Sequence, residues 1–276
     1  MPVQSQLSIR DAVGGALRFV REDWQFVLAV AGCAALAQGL VLALGPSLIW
    51  MVALIVVLIT AHTALASGAL GLPRPFFDRL PGDSARVAAA MTMIGFFLGI
   101  IFLMLTFVAM SILISPYETQ VKAAGENQAA LQAIIQRAIE GRPEVITIIM
   151  AVGAAIVFGL TTRFYLAAPA TIDRRRVTVF ESWKMTRGNF LRIAGARLLL
   201  LTPAFIFASA LQSLVSIALQ TPVNDPVVML QYASGNPLGF AGFYTLGLFL
   251  QIAIFSALEA ALSARLYRAL SASPVR

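Results

Sequence analysis

Residues 87–115 read VAAAMTMIGFFLGIIFLMLTFVAMSILIS, and this run contains no charged side chain. A transmembrane α-helix needs about 20 consecutive apolar residues, so one helix from this run can cross a bilayer. Five further segments of the chain are nearly as apolar. The six segments are roughly 25–45, 48–72, 87–115, 144–172, 193–220 and 238–264. They predict an all-α membrane protein with six transmembrane helices.

The Lys and Arg residues are sorted by side around these segments. If the N-terminus is cytoplasmic and the segments alternate in direction, 17 of the 20 basic residues lie inside. The three outside are Lys122, Arg137 and Arg142. Cytoplasmic loops carry an excess of Lys and Arg, so both termini are predicted to be cytoplasmic. The inside residues are Arg10, Arg18, Arg21, Arg74, Arg79, Arg86, Arg163, Arg174, Arg175, Arg176, Lys184, Arg187, Arg192, Arg197, Arg265, Arg268 and Arg276.

The composition favours a single membrane domain over residues 1–276. Hydrophobic residues make up 59% of the chain and charged residues only 12%, which is far from the usual balance of a soluble domain. The net charge of +7 is not arranged as the basic stripe of a nucleic-acid-binding module. The first apolar segment is too long for a cleavable signal. We therefore expect a multi-pass protein of a bacterial inner (cytoplasmic) membrane, without a nucleic-acid partner.

Residues 8–24 are expected to form an amphipathic helix on the inner membrane surface. Ser8 followed by Asp11 resembles a helix-capping sequence. At helical spacing, one face is apolar and the other is basic. The apolar face consists of Ile9, Val13, Ala16, Leu17, Val20 and Trp24, and the basic residues are Arg10, Arg18 and Arg21. These basic residues are candidate contacts for anionic lipids.

The long outer link between the third and fourth segments is expected to be helical as well. Ser115-Pro116 resembles a helix start, and Gly125 is expected to end that helix. A second helix is predicted over residues 128–140, because its apolar side chains fall on one face.

The link after the fourth segment carries the densest group of basic residues. Phe180, Trp183 and Phe190 can face the membrane there while basic side chains contact lipid phosphates. These candidate contacts are Arg174, Arg175, Arg176, Lys184 and Arg187. One interpretation is a general positive-inside anchor. The alternative is a dedicated site for an anionic lipid or a membrane partner.

Two short motifs in this region resemble a known family. Residues 163–169 read RFYLAAP, and residues 181–190 read ESWKMTRGNF. An Arg-x-x-Leu-Ala-x-Pro run at the end of a membrane helix, followed by Glu-Ser-Trp-x-x-Thr-x-Gly-Asn-Phe, is similar to a bacterial family of six-helix inner-membrane proteins. That family is related to the membrane domain fused to some glycerophosphodiester phosphodiesterases. The resemblance implies the six-helix architecture and leaves the function open, because most family members have no assigned activity.

The sequence lacks recognisable catalytic motifs. It has no glycine-rich phosphate loop, no HExxH zinc motif and no nucleophile elbow, and His62 is its only histidine. Cys33 is its only cysteine, so a disulfide or a Cys-based metal site within one chain is excluded. We expect no enzymatic activity and no cofactor.

His62, Arg163 and Glu259 are the ionisable residues that we place deep within the predicted membrane segments. Such residues are costly in hydrocarbon and are candidate functional residues. At 1.5 Å per residue, all three are expected about 10–15 Å above the inner surface. An ion pair between Arg163 and Glu259 would offset the desolvation of both groups. The pair is either a structural lock between two helices or part of a buried site for an anionic headgroup or a proton.

Two functions are therefore carried forward. The first is a non-enzymatic inner-membrane protein that acts through lipids or a membrane partner, or as a homo-oligomer, in envelope homeostasis or complex assembly. The alternative is a small-solute or lipid transporter that uses the level of His62, Arg163 and Glu259. Inverted repeats with broken helices favour transporters, and no such repeat is visible in the sequence.

Overall fold

The computed structural model describes residues 8–43, 48–73, 76–221 and 226–272. These residues form helices joined by short turns, and no β-strand occurs among them. In chain order the α-helices are α1 (Ile9–Glu22), α2 (Trp24–Ala43), α3 (Leu48–Ala69), α4 (Leu80–Ile114), α5 (Glu118–Ala124), α6 (Gln128–Glu140), α7 (Pro143–Arg163), α8 (Ala167–Arg174), α9 (Val179–Met185), α10 (Phe190–Ala218), α11 (Pro226–Gly235), α12 (Pro237–Leu250) and α13 (Ala257–Ser271). The stretches long and apolar enough to cross a membrane are Trp24–Ala43, Met51–Ala69, Phe76–Ala124, Pro143–Arg174, Phe190–Ala218 and Pro237–Ser271. The helical class and the six apolar segments are thus confirmed.

The described residues divide into two compact units. The first unit contains the residues up to Met91 and from Arg163 onward, and the second runs from Thr92 to Thr162. One boundary falls within α4 and the other at the last residue of α7. Two basic residues predicted to lie inside, Arg74 and Arg276, fall outside the described ranges.

Small side chains allow close helix packing in the first unit. Phe26 near the start of α2 lies against Gly68 near the end of α3, so these helices are antiparallel. Gly39 near the end of α2 lies against Thr245 in the second half of α12. Close approach through small residues is the usual basis of helix packing in membranes. The fully buried core residues around α3 and α13 include Leu65, Ala66, Leu166, Ala257, Ala260, Ala261, Leu262, Ala264 and Leu266.

The helix α1 packs within the first unit largely through the predicted face, because Ala16 is fully buried and Ile9, Val13 and Val20 lie against the core. The Asp11 N–H donates to the Ser8 hydroxyl at 3.3 Å, so the predicted cap is confirmed. The buried side chains of α1 are Ala12, Ala16 and Phe19. Leu17 and Trp24, which we expected on the apolar face, are 49% and 53% exposed. Phe19, which we did not place on that face, is buried instead and lines a small cavity with Phe26 and Gly68.

The second unit contains the predicted pair of helices in the long link. Gly125, with φ of 53°, ends α5, and the Ala130 N–H donates to the Asn127 side chain at the start of α6. Ile134 and Ala138 are the buried residues of α6. The expected cap at Ser115 was wrong, because the chain passes from α4 into α5 through a 3₁₀ turn in which Ser115 caps no N–H group.

Candidate functional site at the end of α7

The fourth apolar stretch is interrupted directly after Arg163. The helix α7 ends there, residues 164–166 form a turn, and α8 begins at Ala167. The last carbonyl groups of a helix have no partner within the helix. The Arg163 carbonyl is satisfied from α9, because it accepts a hydrogen bond from the Ser182 hydroxyl at 3.0 Å. The Thr186 hydroxyl lies between two carbonyl acceptors, that of Trp183 at 3.1 Å and that of Arg163 at 3.4 Å. The Ser of the ESWKMT sequence therefore caps the end of α7, and the Thr hydroxyl lies beside it.

These two hydroxyl contacts orient α9. Ser182 and Thr186 are fully buried, whereas Phe180 and Trp183 on the other side of the helix are 57% and 41% exposed. Glu181 pairs with the guanidinium groups of Arg174 and Arg176, the latter at 2.7 Å, and thereby ties α9 to the end of α8. The first unit thus holds α9 with its polar side inward and two large apolar rings outward.

Arg163 itself lies among aromatic rings. Its guanidinium carbon is 5.5 Å from the centre of the Trp183 ring and 4.8 Å from that of Phe190. Phe164 packs against Trp183 with ring centres 5.3 Å apart. Gly188, with φ of 84°, makes the turn that brings Phe190 to this position. Within the described residues, the Arg163 guanidinium forms no hydrogen bond or ion pair.

The predicted ion pair between Arg163 and Glu259 was wrong for the described structure. The Tyr165 hydroxyl donates to the Glu259 carbonyl at 3.1 Å, and the Arg197 guanidinium lies 4.5 Å from the centre of the Tyr165 ring. Tyr165 and Arg197 are both within electrostatic range of the Glu259 carboxylate. The depths estimated at 1.5 Å per residue assumed that the helix continues unbroken past Arg163. The break after Arg163 directs its side chain to α9 and brings Tyr165 to α13 instead.

His62 does not join either group by a direct contact. It is half-buried on α3 and forms no hydrogen bond or ion pair within the described ranges. The structure therefore resolves the predicted cluster into two arrangements. One contains Arg163 with its aromatic neighbours, and the other contains Glu259 with Tyr165 and Arg197.

A second tyrosine continues the contact between α8 and α13. The Tyr267 hydroxyl donates to the Asp173 carboxylate at 2.6 Å. The two tyrosine contacts link residues with the same separation of 94 in sequence, so the segment from Tyr165 to Asp173 runs parallel to α13. The two contacts fix this register along α8, whose eight residues span about 12 Å.

The candidate lipid contacts differ in how much of their charge is available. All eight are exposed, namely Arg10, Arg18, Arg21, Arg174, Arg175, Arg176, Lys184 and Arg187. Arg174 and Arg176 share Glu181. No ion pair with a described residue engages Arg175, Lys184 or Arg187. Among the described residues, no group of three or more His, Cys, Asp or Glu side chains is placed to hold a metal ion.

Sequence reasoning missed the roles of Arg197, Ser182 and Thr186. The depth count would have found Arg197, because it lies seven residues, or about 10 Å, into α10. The two hydroxyls carried no such signal, since their partner is a backbone carbonyl that is exposed only by the break in the helix.

Comparisons with protein-family models, with curated proteins and with solved structures found no match to this chain.

Proposed function

We propose that this chain is a non-enzymatic, multi-pass protein of a bacterial inner membrane, with both termini in the cytoplasm, that acts through anionic lipids in envelope homeostasis or complex assembly. The lipid-binding surface is formed by the exposed sides of α1, α8 and α9 and is called here the basic surface. The observation that carries the proposal is the orientation of α9, whose buried hydroxyls turn Phe180 and Trp183 outward beside Lys184 and Arg187. We also propose that the motifs shared with the six-helix family serve to cap the Arg163 carbonyl at the end of α7.

The physical argument combines two terms that act at a membrane surface. Large apolar rings gain free energy by entering the boundary between headgroups and acyl chains. Each basic residue near an anionic surface adds about 1 kcal/mol of attraction. This attraction falls off over a Debye length, which is about 10 Å at 0.1 M salt and becomes shorter as salt is added. Glu181 is already neutralised by two arginines, so it does not oppose the approach of anionic lipid.

The test measures which lipids accompany the purified protein. We expect the wild type, reconstituted in mixed neutral and anionic lipid, to retain anionic lipid selectively at low salt. The double variant Lys184→Gln/Arg187→Gln should lose much of this enrichment. The matched control Arg137→Gln/Arg142→Gln removes the same number of charges from the opposite membrane side and should retain it. A wild-type protein without preference for anionic lipid would refute the proposed function.

A second candidate function, transport, has one observation in its favour. The segment Gln251–Ser256 between α12 and α13 is a π-helix, and it contacts α10 near Pro203. Phe205 of α10 and Phe255 of the π-helix have ring centres 6.1 Å apart. Short π-helical segments are frequent at functional sites, and here Glu259 with Tyr165 and Arg197 would supply the polar group. Proton flux into proteoliposomes that is abolished by Glu259→Gln would favour this function, and no flux from the wild type would count against a proton-coupled form.

A further inference from the structure

Arg163 offers a hydrogen-bonding edge that the described protein leaves unused. A guanidinium group has five N–H donors in one plane. The rings of Trp183 and Phe190 contact the group through cation–π interactions, which do not replace hydrogen-bond acceptors. Arg163 is half-buried, and none of the described acceptors takes its N–H groups. None of its nitrogens is a buried atom without a partner, so the N–H groups are open to approach and a ligand that supplies oxygen acceptors can reach them.

The charges around Arg163 select an anion. The segment from residue 163 to residue 197 contains eight basic residues and two acidic ones, Asp173 and Glu181. Asp173 accepts a hydrogen bond from Tyr267, and Glu181 is engaged by Arg174 and Arg176. Neither carboxylate forms an ion pair with Arg163. A planar guanidinium matches the paired oxygens of a phosphate group particularly well.

The depth of the site indicates where the phosphate comes from. Trp183 is 41% exposed beside Arg163, and tryptophan rings prefer the level of the lipid headgroups. Phe180 and Leu191 on either side of Trp183 in the chain are also exposed, as expected for side chains that enter the same layer. This places Arg163 at the level of the lipid phosphates, closer to the inner surface than the roughly 10–15 Å that helix rise predicted from the sequence.

We propose that Arg163 is a phosphate-binding residue for an anionic phospholipid, with Trp183 and Phe190 holding its guanidinium plane. This inference rests on the proposed function and deepens it, since it assigns one specific lipid site within the basic surface. The ligand is the phosphodiester of the headgroup, bound through two N–H groups of Arg163. Lys184 and Arg187 contribute only general attraction to the anionic surface.

The experiment compares Arg163→Lys with Arg175→Gln by native mass spectrometry of protein released from nanodiscs containing phosphatidylglycerol. Arg163→Lys retains the charge but loses the planar donor set, and we expect about tenfold weaker retention of phosphatidylglycerol. Arg175→Gln removes an exposed charge from the same surface and should retain the lipid. Unchanged retention in Arg163→Lys, or an equal loss in both variants, would overturn the proposal. Displacement of the lipid by inorganic phosphate from the wild type only would support the site and assign free phosphate as its ligand.

Two further measurements keep the outcome interpretable. Thermal unfolding in neutral lipid establishes that Arg163→Lys is folded. Independently of that variant, a protein with Trp24→Phe and Trp50→Phe retains Trp183 as its only tryptophan. Titration with phosphatidylglycerol should shift the emission of Trp183 saturably, and no shift would overturn the proposal. If the wild type prefers anionic lipid and only Lys184→Gln/Arg187→Gln loses this preference, the Arg163 site fails while the proposed function stands.

Discussion

At the scale of single residues, the break after Arg163 decides which charges meet. The sequence allowed His62, Arg163 and Glu259 to be selected as membrane-embedded ionisable groups, because composition and helix rise are enough for that purpose. It did not allow the pairing to be predicted, since the pairing depends on a turn of three residues. In the structure Arg163 contacts the rings of Trp183 and Phe190, whereas Tyr165 reaches Glu259.

We predict that Glu259 is energetically coupled to Arg197 and not to Arg163. In double-mutant cycles measured by thermal or chemical unfolding in lipid nanodiscs, Glu259→Gln with Arg197→Gln should show a coupling of about 0.5–3 kcal/mol. The same cycle with Arg163→Gln should be additive within about 0.5 kcal/mol. Strong coupling to Arg163 would restore the ion pair expected from the sequence and contradict the described geometry.

At the scale of helices, most helix ends and apolar faces were predictable, whereas the particular contacts between helices were not. The cap at Ser8 and the end of α5 at Gly125 depend on neighbours within a few residues, and both follow from the sequence. The contacts of α1 depend on what it packs against. Gly15 lies against the side chain of Arg265, with Arg265 Cδ 3.4 Å from the position of an added methyl group. The periodicity of α1 cannot predict that contact, because Arg265 lies on α13.

We predict opposite effects of the same substitution at two glycines of α2. Gly39→Ala places a methyl group into the Thr245 side chain of α12 and should destabilise the protein by about 1–3 kcal/mol. Gly32→Ala meets no atom within 4 Å and should be neutral or stabilising by up to about 1 kcal/mol, because alanine favours the helix. Thermal unfolding of both variants in the same lipid distinguishes these effects. Equal stability of the two variants would mean that α2 and α12 are not in close contact at Gly39.

At the scale of the whole molecule, the number of apolar spans was predictable because length and hydropathy dominate it. Six stretches were expected and six are present in the described chain. The division into two units was not expected. The second unit buries few side chains, among them Ile94, Leu113, Ile134 and Ala138, although α4 and α7 are strongly apolar. Hydropathy predicts that such helices avoid water. It does not predict whether their neighbours are protein or lipid, because both are apolar.

The central claim is that the basic surface faces the cytoplasm, and cysteine labelling tests it most directly. In a Cys33→Ala background, single cysteines at Gln132 and Gln231 should react with a membrane-impermeant reagent in intact cells. Cysteines at Asp78 and Val177 should react only after permeabilisation, because the 17-to-3 distribution of basic residues keeps their side inside. Labelling of the Val177→Cys variant in intact cells would reverse the topology and contradict the proposed lipid surface.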